Sequence, residues 1–291
     1  MPDTGRTSQV IEAICAWFDA NGRDLPWRRP GTSAWGVLVS EVMSQQTRLV
    51  GSAPCIRDRM KSWPSREALA EEDSGEAVAA WGRLGYPRRA LRLHSCAVAI
   101  ATEHDGVVPN SYDELVALPG IGDYTASAVV SFAFGGRATV LDTNVRRLSA
   151  RADAGIATCP TSVTRAERVV ADALVPDEDV RAAKWAVASM ELGALVCTAR
   201  SPQCEVCPIR DSCRWVIDGK PDNAPARRGQ PWKGTDRQCR GVIMDVVRNS
   251  PHGVKVQMAL SAWPQPDQAS RCLESLLDDG LVHRRGNLIS L

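Results

Sequence analysis

The chain has 291 residues, 44% hydrophobic and 24% charged, with a formal net charge of +1. That length allows two small domains and an appendage, and the near-neutral charge excludes nucleic-acid binding by bulk basicity; DNA contacts would need local basic patches. No charged-then-apolar leader opens the chain and no apolar run approaches the length needed to span a bilayer, so a soluble, cytoplasmic protein is expected.

In chain order, residues 8 to 20 carry Val10, Ile14, Trp17 and Phe18 at helical spacing behind Ser8, and Asn21-Gly22 stops the helix. Residues 24 to 30 form a loop, because Pro26, Pro30 and the residues before them resist helix. Trp35, Leu38, Val39, Val42 and Met43 recur every three to four residues, which predicts one helix over 34–50. Helices are then expected over 52–61, 65–71, 73–81, 88–104, 111–117, 124–134, 160–174 and 179–195. No useful strand alternation occurs before the last dozen residues, so the first 220 positions read as all-α. The Ala- and Val-rich faces of the last two helices would pack on the N-terminal helix. That gives two lobes, residues 1–29 with 138–217 and an inserted six-helix lobe over 30–137. Residues 218–235, rich in Pro, Gly and basic side chains, form a linker. The tail, 236–291, reads as helix (237–248), short helix, amphipathic helix (266–279) and a hairpin of 281–283 with 287–291 around Arg284-Arg285-Gly286. That order is winged-helix-like (α+β), and such folds serve stabilisation as well as DNA binding.

Two stretches carry chemistry. In residues 118–147, Leu118-Pro119-Gly120-Ile121-Gly122 makes a tight glycine turn into the helix from Tyr124, and the lone carboxylate Asp142 follows in an apolar lead-in. Such a turn either offers free N–H groups to a phosphate or simply joins two packed helices. Of ten cysteines, Cys197, Cys204, Cys207 and Cys213 crowd together while six are scattered. Four thiolates in one loop suit zinc or an iron–sulfur cluster, and the scattered six read as small buried residues. Arg200, Arg210 and Arg214 beside them would meet phosphates or form a solvated face.

LPGIG with Asp142 about twenty residues on resembles the helix-hairpin-helix DNA glycosylase superfamily, and the cysteine spacing resembles the [4Fe-4S] loop of the endonuclease III and MutY glycosylases. SEVMSQQT at 40–47, LPWR at 25–28 and GRLGY at 82–86 resemble MutY; together the resemblance covers residues 8 to about 216. It implies a two-lobed glycosylase fold and a monomeric enzyme, nucleoid-associated, acting on double-stranded DNA with A:8-oxoguanine or A:G mispairs. Glu41 would be the general acid delivering a proton to adenine N7, and Asp142 would stabilise the oxocarbenium sugar, supported by Tyr124 and Asn144. Leu25, Trp27 and Arg28 would line the base pocket. Gln46, Leu84 and Tyr86 would fill the gap beside 8-oxoguanine, with Gly120, Ile121 and Gly122 forming the DNA-binding hairpin. Tyr124 stands where bifunctional relatives carry a lysine, which implies monofunctional chemistry. The chain departs from the pattern at Ser44 and Thr143, at Val187, where some members place a polar or acidic adenine contact, and in its short tail. A MutY-like thymine or uracil mismatch glycosylase and a non-catalytic DNA-binding scaffold are the alternatives.

Overall fold

The structure is a computed structural model, and it describes residues 4–47, 49–222 and 232–291. Its helices are α1 (Thr4–Asn21), α2 (Ala34–Ser44), α3 (Leu49–Ser62), α4 (Arg66–Ala70), α5 (Ser74–Trp81), α6 (Arg88–Glu103), α7 (Tyr112–Ala117), α8 (Asp123–Phe134), α9 (Thr143–Ala152), α10 (Arg165–Ala173), α11 (Asp179–Leu195) and α12 (Arg214–Ile217). The tail adds α13 (Asp236–Arg248), β1 (Val254–Lys255), α14 (Val256–Ser261), α15 (Pro266–Asp278), β2 (His283–Arg285) and β3 (Leu288–Ser290). Among the described residues no helix is long and apolar enough to cross a membrane.

The chain divides into two compact units. The first comprises residues 1–38, 110–116 and 122–226, the second 39–109, 117–121 and 227–291. Residues 30–38, 110–116 and 122–137, which the sequence pattern grouped with the six-helix lobe, cluster with the first unit, and the tail clusters with the second. The first unit is built on α1, α9 and α11, which share Ile11, Ile14, Leu148, Trp185, Ala188 and Leu192 as a core. In the second, Ile56, Trp63, Leu69, Trp81, Leu93 and Ile100 are fully buried, each worth about 1.5–3 kcal/mol of apolar burial. The tail packs α13 against α15 over Cys239, Ile243, Cys272, Leu273 and Ile289.

Four expectations need correction. The hairpin strand expected over 281–283 runs over His283–Arg285, so Arg284 and Arg285 pair with Ile289 and Leu288 instead of forming the turn. The helix over 34–50 is two helices: Gln46 takes a left-handed backbone (φ 55°), and the Thr47 hydroxyl donates to the Met43 and Ser44 carbonyls at 3.2 and 2.8 Å, closing the end of α2. The helix over 160–174 starts only at Arg165, because Thr164 forms a capping box with Glu167 while the Pro160 and Ser162 carbonyls accept from Arg146. The tail also holds a strand that the sequence reading missed, β1, in an antiparallel sheet of order β1-β3-β2 that pairs Val254 with Ile289. Two residues are too few to show alternation. Most of the expected linker, residues 223–231, lies outside the described residues.

Candidate functional site

In the first unit Asp142 is the N-cap of α9. Its Oδ1 accepts from the Asn144 and Val145 N–H groups at 2.8 and 2.7 Å, and its Oδ2 accepts from Asn144 Nδ2 at 2.6 Å. Burial raises the Asp142 carboxyl above its ordinary range, and the Val145 and Asn144 hydrogen bonds and the Arg147 charge pull against it. The result is a carboxylate of fixed orientation at the positive end of a helix dipole. Asn144 is held in turn: its Oδ1 accepts from Arg147 Nη2 at 2.8 Å. The α11 backbone presses on it, since a Cβ at Gly193 would lie 2.7 Å from the Asn144 carbonyl oxygen. Tyr124, partly buried, packs on Ala128, Val140 and Ala186.

The 25–28 segment forms a short 3-10 turn with Leu25 and Trp27 buried. Arg28 is bound to a group the sequence reading missed. Glu191, one helical turn beyond the half-buried Val187 on α11, has no exposed side-chain surface. Its Oε1 accepts from Arg23 Nε at 2.6 Å and from the Arg23 N–H at 3.0 Å, and its Oε2 accepts from Arg23 Nη2 at 2.8 Å and Arg28 Nη2 at 2.9 Å. Burial alone would raise its pKa; the Arg23 and Arg28 hydrogen bonds outweigh burial and hold it at about 2. Arg28 Nη1 is buried and finds no acceptor among the described residues. The available signal was a charge inside the apolar run ASMELGAL, the same cue that singled out Glu41.

The cysteine loop also belongs to the first unit. Cys197, Cys204, Cys207 and Cys213 line one small cavity, together with Arg151 and Trp215. Burial pushes the Cys207 thiol up to about 11, the Ile209 N–H pulls it down, and the neighbouring thiols Cys197, Cys213 and Cys204 raise it further. A cationic iron centre is what lets such a ring ionise, so the donor set fits a cluster. Arg151, 3% exposed, places Nη1 3.4 Å from Cys197 Sγ, donates to the Thr198 carbonyl at 2.8 Å, and lies 4.6 Å from the Trp215 ring centre. Arg147 Nε donates to the Cys197 carbonyl at 2.6 Å, and Arg6 Nη2 to the Ser212 carbonyl at 2.6 Å.

In the second unit Glu41 is 6% exposed on α2, beside fully buried Val39 and Met43. Ser44 fits without disruption: its hydroxyl donates to the Glu41 carbonyl at 3.1 Å. Buried Arg89, also missed from sequence, ties the end of α2 to the 82–86 loop. Its Nη1 donates to the Val42 and Gln45 carbonyls at 2.8 and 2.6 Å and its Nη2 to the Gly85 carbonyl at 3.1 Å. Burial lowers Arg89 to about 10, so it stays charged at neutral pH. Gln46 and Tyr86 are exposed, both with left-handed backbone, and Leu84 is half-buried. In the hairpin Gly120 (φ 75°) packs on α6: a Cβ there would lie 2.5 Å from Arg92 Cβ. Ile121 is buried, and Gly122 caps the N-terminus of α8 without a side chain.

These features define a helix-hairpin-helix protein with an endonuclease III type iron–sulfur loop. Residues 103–132 match the family model "Helix-hairpin-helix motif", and residues 197–213 match "Iron-sulfur binding domain of endonuclease III". The fold is also that of a thermostable thymine-DNA glycosylase (TM-score 0.65, 24% identity, 74% of this chain and 99% of that one). An endonuclease III–DNA complex is similar too (TM-score 0.63, 22% identity, 75% and 99%). An adenine DNA glycosylase of Mycolicibacterium smegmatis is 50% identical over 272 residues, 93% of this chain and 92% of that protein. That of Mycobacterium tuberculosis (strain ATCC 25618 / H37Rv) is 46% identical over 273 residues, 93% and 89%, and the Homo sapiens protein 36% over 220 residues, 73% and 40%.

The chain belongs to the adenine DNA glycosylase family. It is a base-excision-repair hydrolase that binds DNA, cleaves the N-glycosyl bond of adenine and carries a [4Fe-4S] cluster.

Proposed function

We propose that the enzyme is monomeric and monofunctional, and excises adenine paired with 8-oxoguanine or guanine. Glu41 is the general acid, and Asp142 stabilises the sugar cation. The observation that carries this is the clamp on Asp142: three N–H donors hold its carboxylate in one orientation at the N-terminus of α9, and Glu41 is a buried carboxylate on α2. Glu41 gives its proton to adenine N7 as the C1′–N9 bond breaks, and the bonding pair leaves with the base. Positive charge develops on C1′ and the ring oxygen, where Asp142 opposes it and Asn144 and Tyr124 keep Asp142 in place. Water adds at C1′ and loses its proton to a carboxylate, leaving an abasic site. With Tyr124 in place of a lysine no amine attacks C1′, so the strand stays intact.

Leu25, Trp27, Arg28 and Val187 line the pocket for the flipped adenine. The unsatisfied Arg28 Nη1 is a donor available to the base, and Glu191 fixes the direction in which Arg28 points. Gln46, Leu84 and Tyr86 meet the opposite strand, and Gly120, Ile121 and Gly122 hold a phosphate. Cys197, Cys204, Cys207 and Cys213 hold the cluster, which staples the loop and takes no part in breaking the glycosidic bond.

Single-turnover excision on A:8-oxoguanine, A:G, A:C, T:G and U:G duplexes tests the reading. Adenine release opposite 8-oxoguanine and G, with strand breaks only after alkali, is expected. Glu41→Gln and Asp142→Asn should each slow excision by about 10²- to 10⁴-fold with mismatch binding nearly unchanged. Normal turnover of either variant removes that residue from its role, and pyrimidine release refutes the substrate assignment.

A further inference from the structure

The tail grips the loop that carries Tyr86. Tyr86 is 49% exposed and has a left-handed backbone (φ 48°), a conformation that costs of order 1 kcal/mol unless its surroundings impose it. Two guanidinium groups lie 5.8 Å from its ring centre, one from Arg89 and the other from Arg237 on α13. Arg237 also lies 5.3 Å from the ring centre of exposed Trp232. On either side of Tyr86 the same loop is ion-paired to the tail. Arg83 bonds Asp245, whose Oδ1 accepts from Arg83 Nε at 3.3 Å and from Arg248 Nη1 at 3.2 Å. Arg88 pairs with Asp279 at 3.4 Å, and Arg240 holds the other oxygen of Asp279 at 2.6 Å.

The exposed side of α15 is poorly suited to a DNA groove, although strand β2 exposes His283, Arg284 and Arg285. The outward side of α15, the third helix of the winged-helix order, exposes Asp267, Glu274 and Asp278, and its Arg271 is paired with Asp236 at 2.9 Å. Those carboxylates repel phosphates. What the tail does contact is the 83–88 segment.

We propose that one contact, the Arg237 guanidinium over the Tyr86 ring, bears indirectly on discrimination of the base opposite the target adenine. Arg237 is a positioning residue that holds the Tyr86 ring in its working orientation. The inference rests on the reading above that Tyr86 meets the opposite base. A cation over an exposed ring is a modest contact, roughly 0.5–1 kcal/mol, so the expected effect on selectivity is about two- to fivefold.

The test is the ratio of single-turnover excision rates for adenine opposite 8-oxoguanine and opposite cytosine, measured on the full chain. Arg237→Ala should lower that ratio about two- to fivefold without moving the melting temperature, and Arg237→Lys, which keeps a cation over the ring, should recover most of the loss. Tyr86→Ala should lower it further, and Tyr86→Ala/Arg237→Ala should equal Tyr86→Ala, because Arg237 has nothing left to position. An unchanged ratio in Arg237→Ala overturns the proposal. So does a full Arg237 loss on top of Tyr86→Ala, which would make Arg237 an independent DNA contact. If Tyr86→Ala alone leaves the ratio intact, the reading of Tyr86 has failed first, and this inference falls with it.

Discussion

A carboxylate without solvent exposure stays ionised only when its partners outweigh its lost hydration. Glu191 meets that condition through Arg23 and Arg28, so Glu191→Gln strands two cations around a neutral amide. The expected loss is about 3 kcal/mol, toward the low end for broken buried pairs because the arginine side chains remain 27% and 21% exposed. The pH dependence follows from the lowered pKa, about 2 against an ordinary 4.5. The stabilisation is complete above pH 4.5 and is lost as pH falls toward 2. Urea midpoints of the two proteins should therefore differ clearly at pH 7 and converge on acidification; a gap that persists near pH 2 would trace the loss to packing. Asp142 separates structure from chemistry in a similar way. Asparagine can cap a helix and alanine cannot, so Asp142→Ala should lose about 1 kcal/mol of stability that Asp142→Asn retains. Both should lose excision. Equal destabilisation by the two would mean that the cap is not made by this side chain.

Between elements one close constraint lies where α11 passes α9. Gly193 has no room for a methyl group against Asn144, so Gly193→Ala must push Asn144 aside or separate the helices. We expect a stability loss of about 1–3 kcal/mol and, because Asn144 orients Asp142, a fall in excision of about 100-fold with little change in DNA affinity. Unchanged kinetics would show that Asn144 does not transmit orientation. What could be read in the sequence tracks how local each signal is. The hairpin turn, the four-cysteine loop and the Asp142 cap are written within a few residues each, and the helical periods of α1, α6 and α11 are plain. The break at Gln46 depends on one hydroxyl reaching back to two carbonyls, and β1 exists only because β3 pairs with it. The Glu191–Arg23 pair joins residues 168 apart in sequence. No window of the sequence contains those partners together.

Across the first unit, one arginine links the metal loop to the Asp142 carboxylate. Arg147 donates to the Cys197 carbonyl, to the Gly193 carbonyl and to Asn144 Oδ1, and Asn144 in turn holds Asp142. The loop is itself stapled by its cluster, so its order depends on metal in the way small metal-stapled loops do. Cys204→Ala should therefore act at two distances. The purified protein should lose its visible iron–sulfur absorption, and amide exchange should rise over residues 197–217. Exchange should also rise in the first turn of α9, where Asp142 accepts the Asn144 and Val145 N–H groups. Amides of α13 and α15 in the second unit should be unaffected. Excision should fall with the α9 amides, because Asp142 would no longer be fixed. If exchange rises only over 197–217 while α9 and the excision rate stay as in the parent protein, then Arg147 does not couple the cluster loop to Asp142.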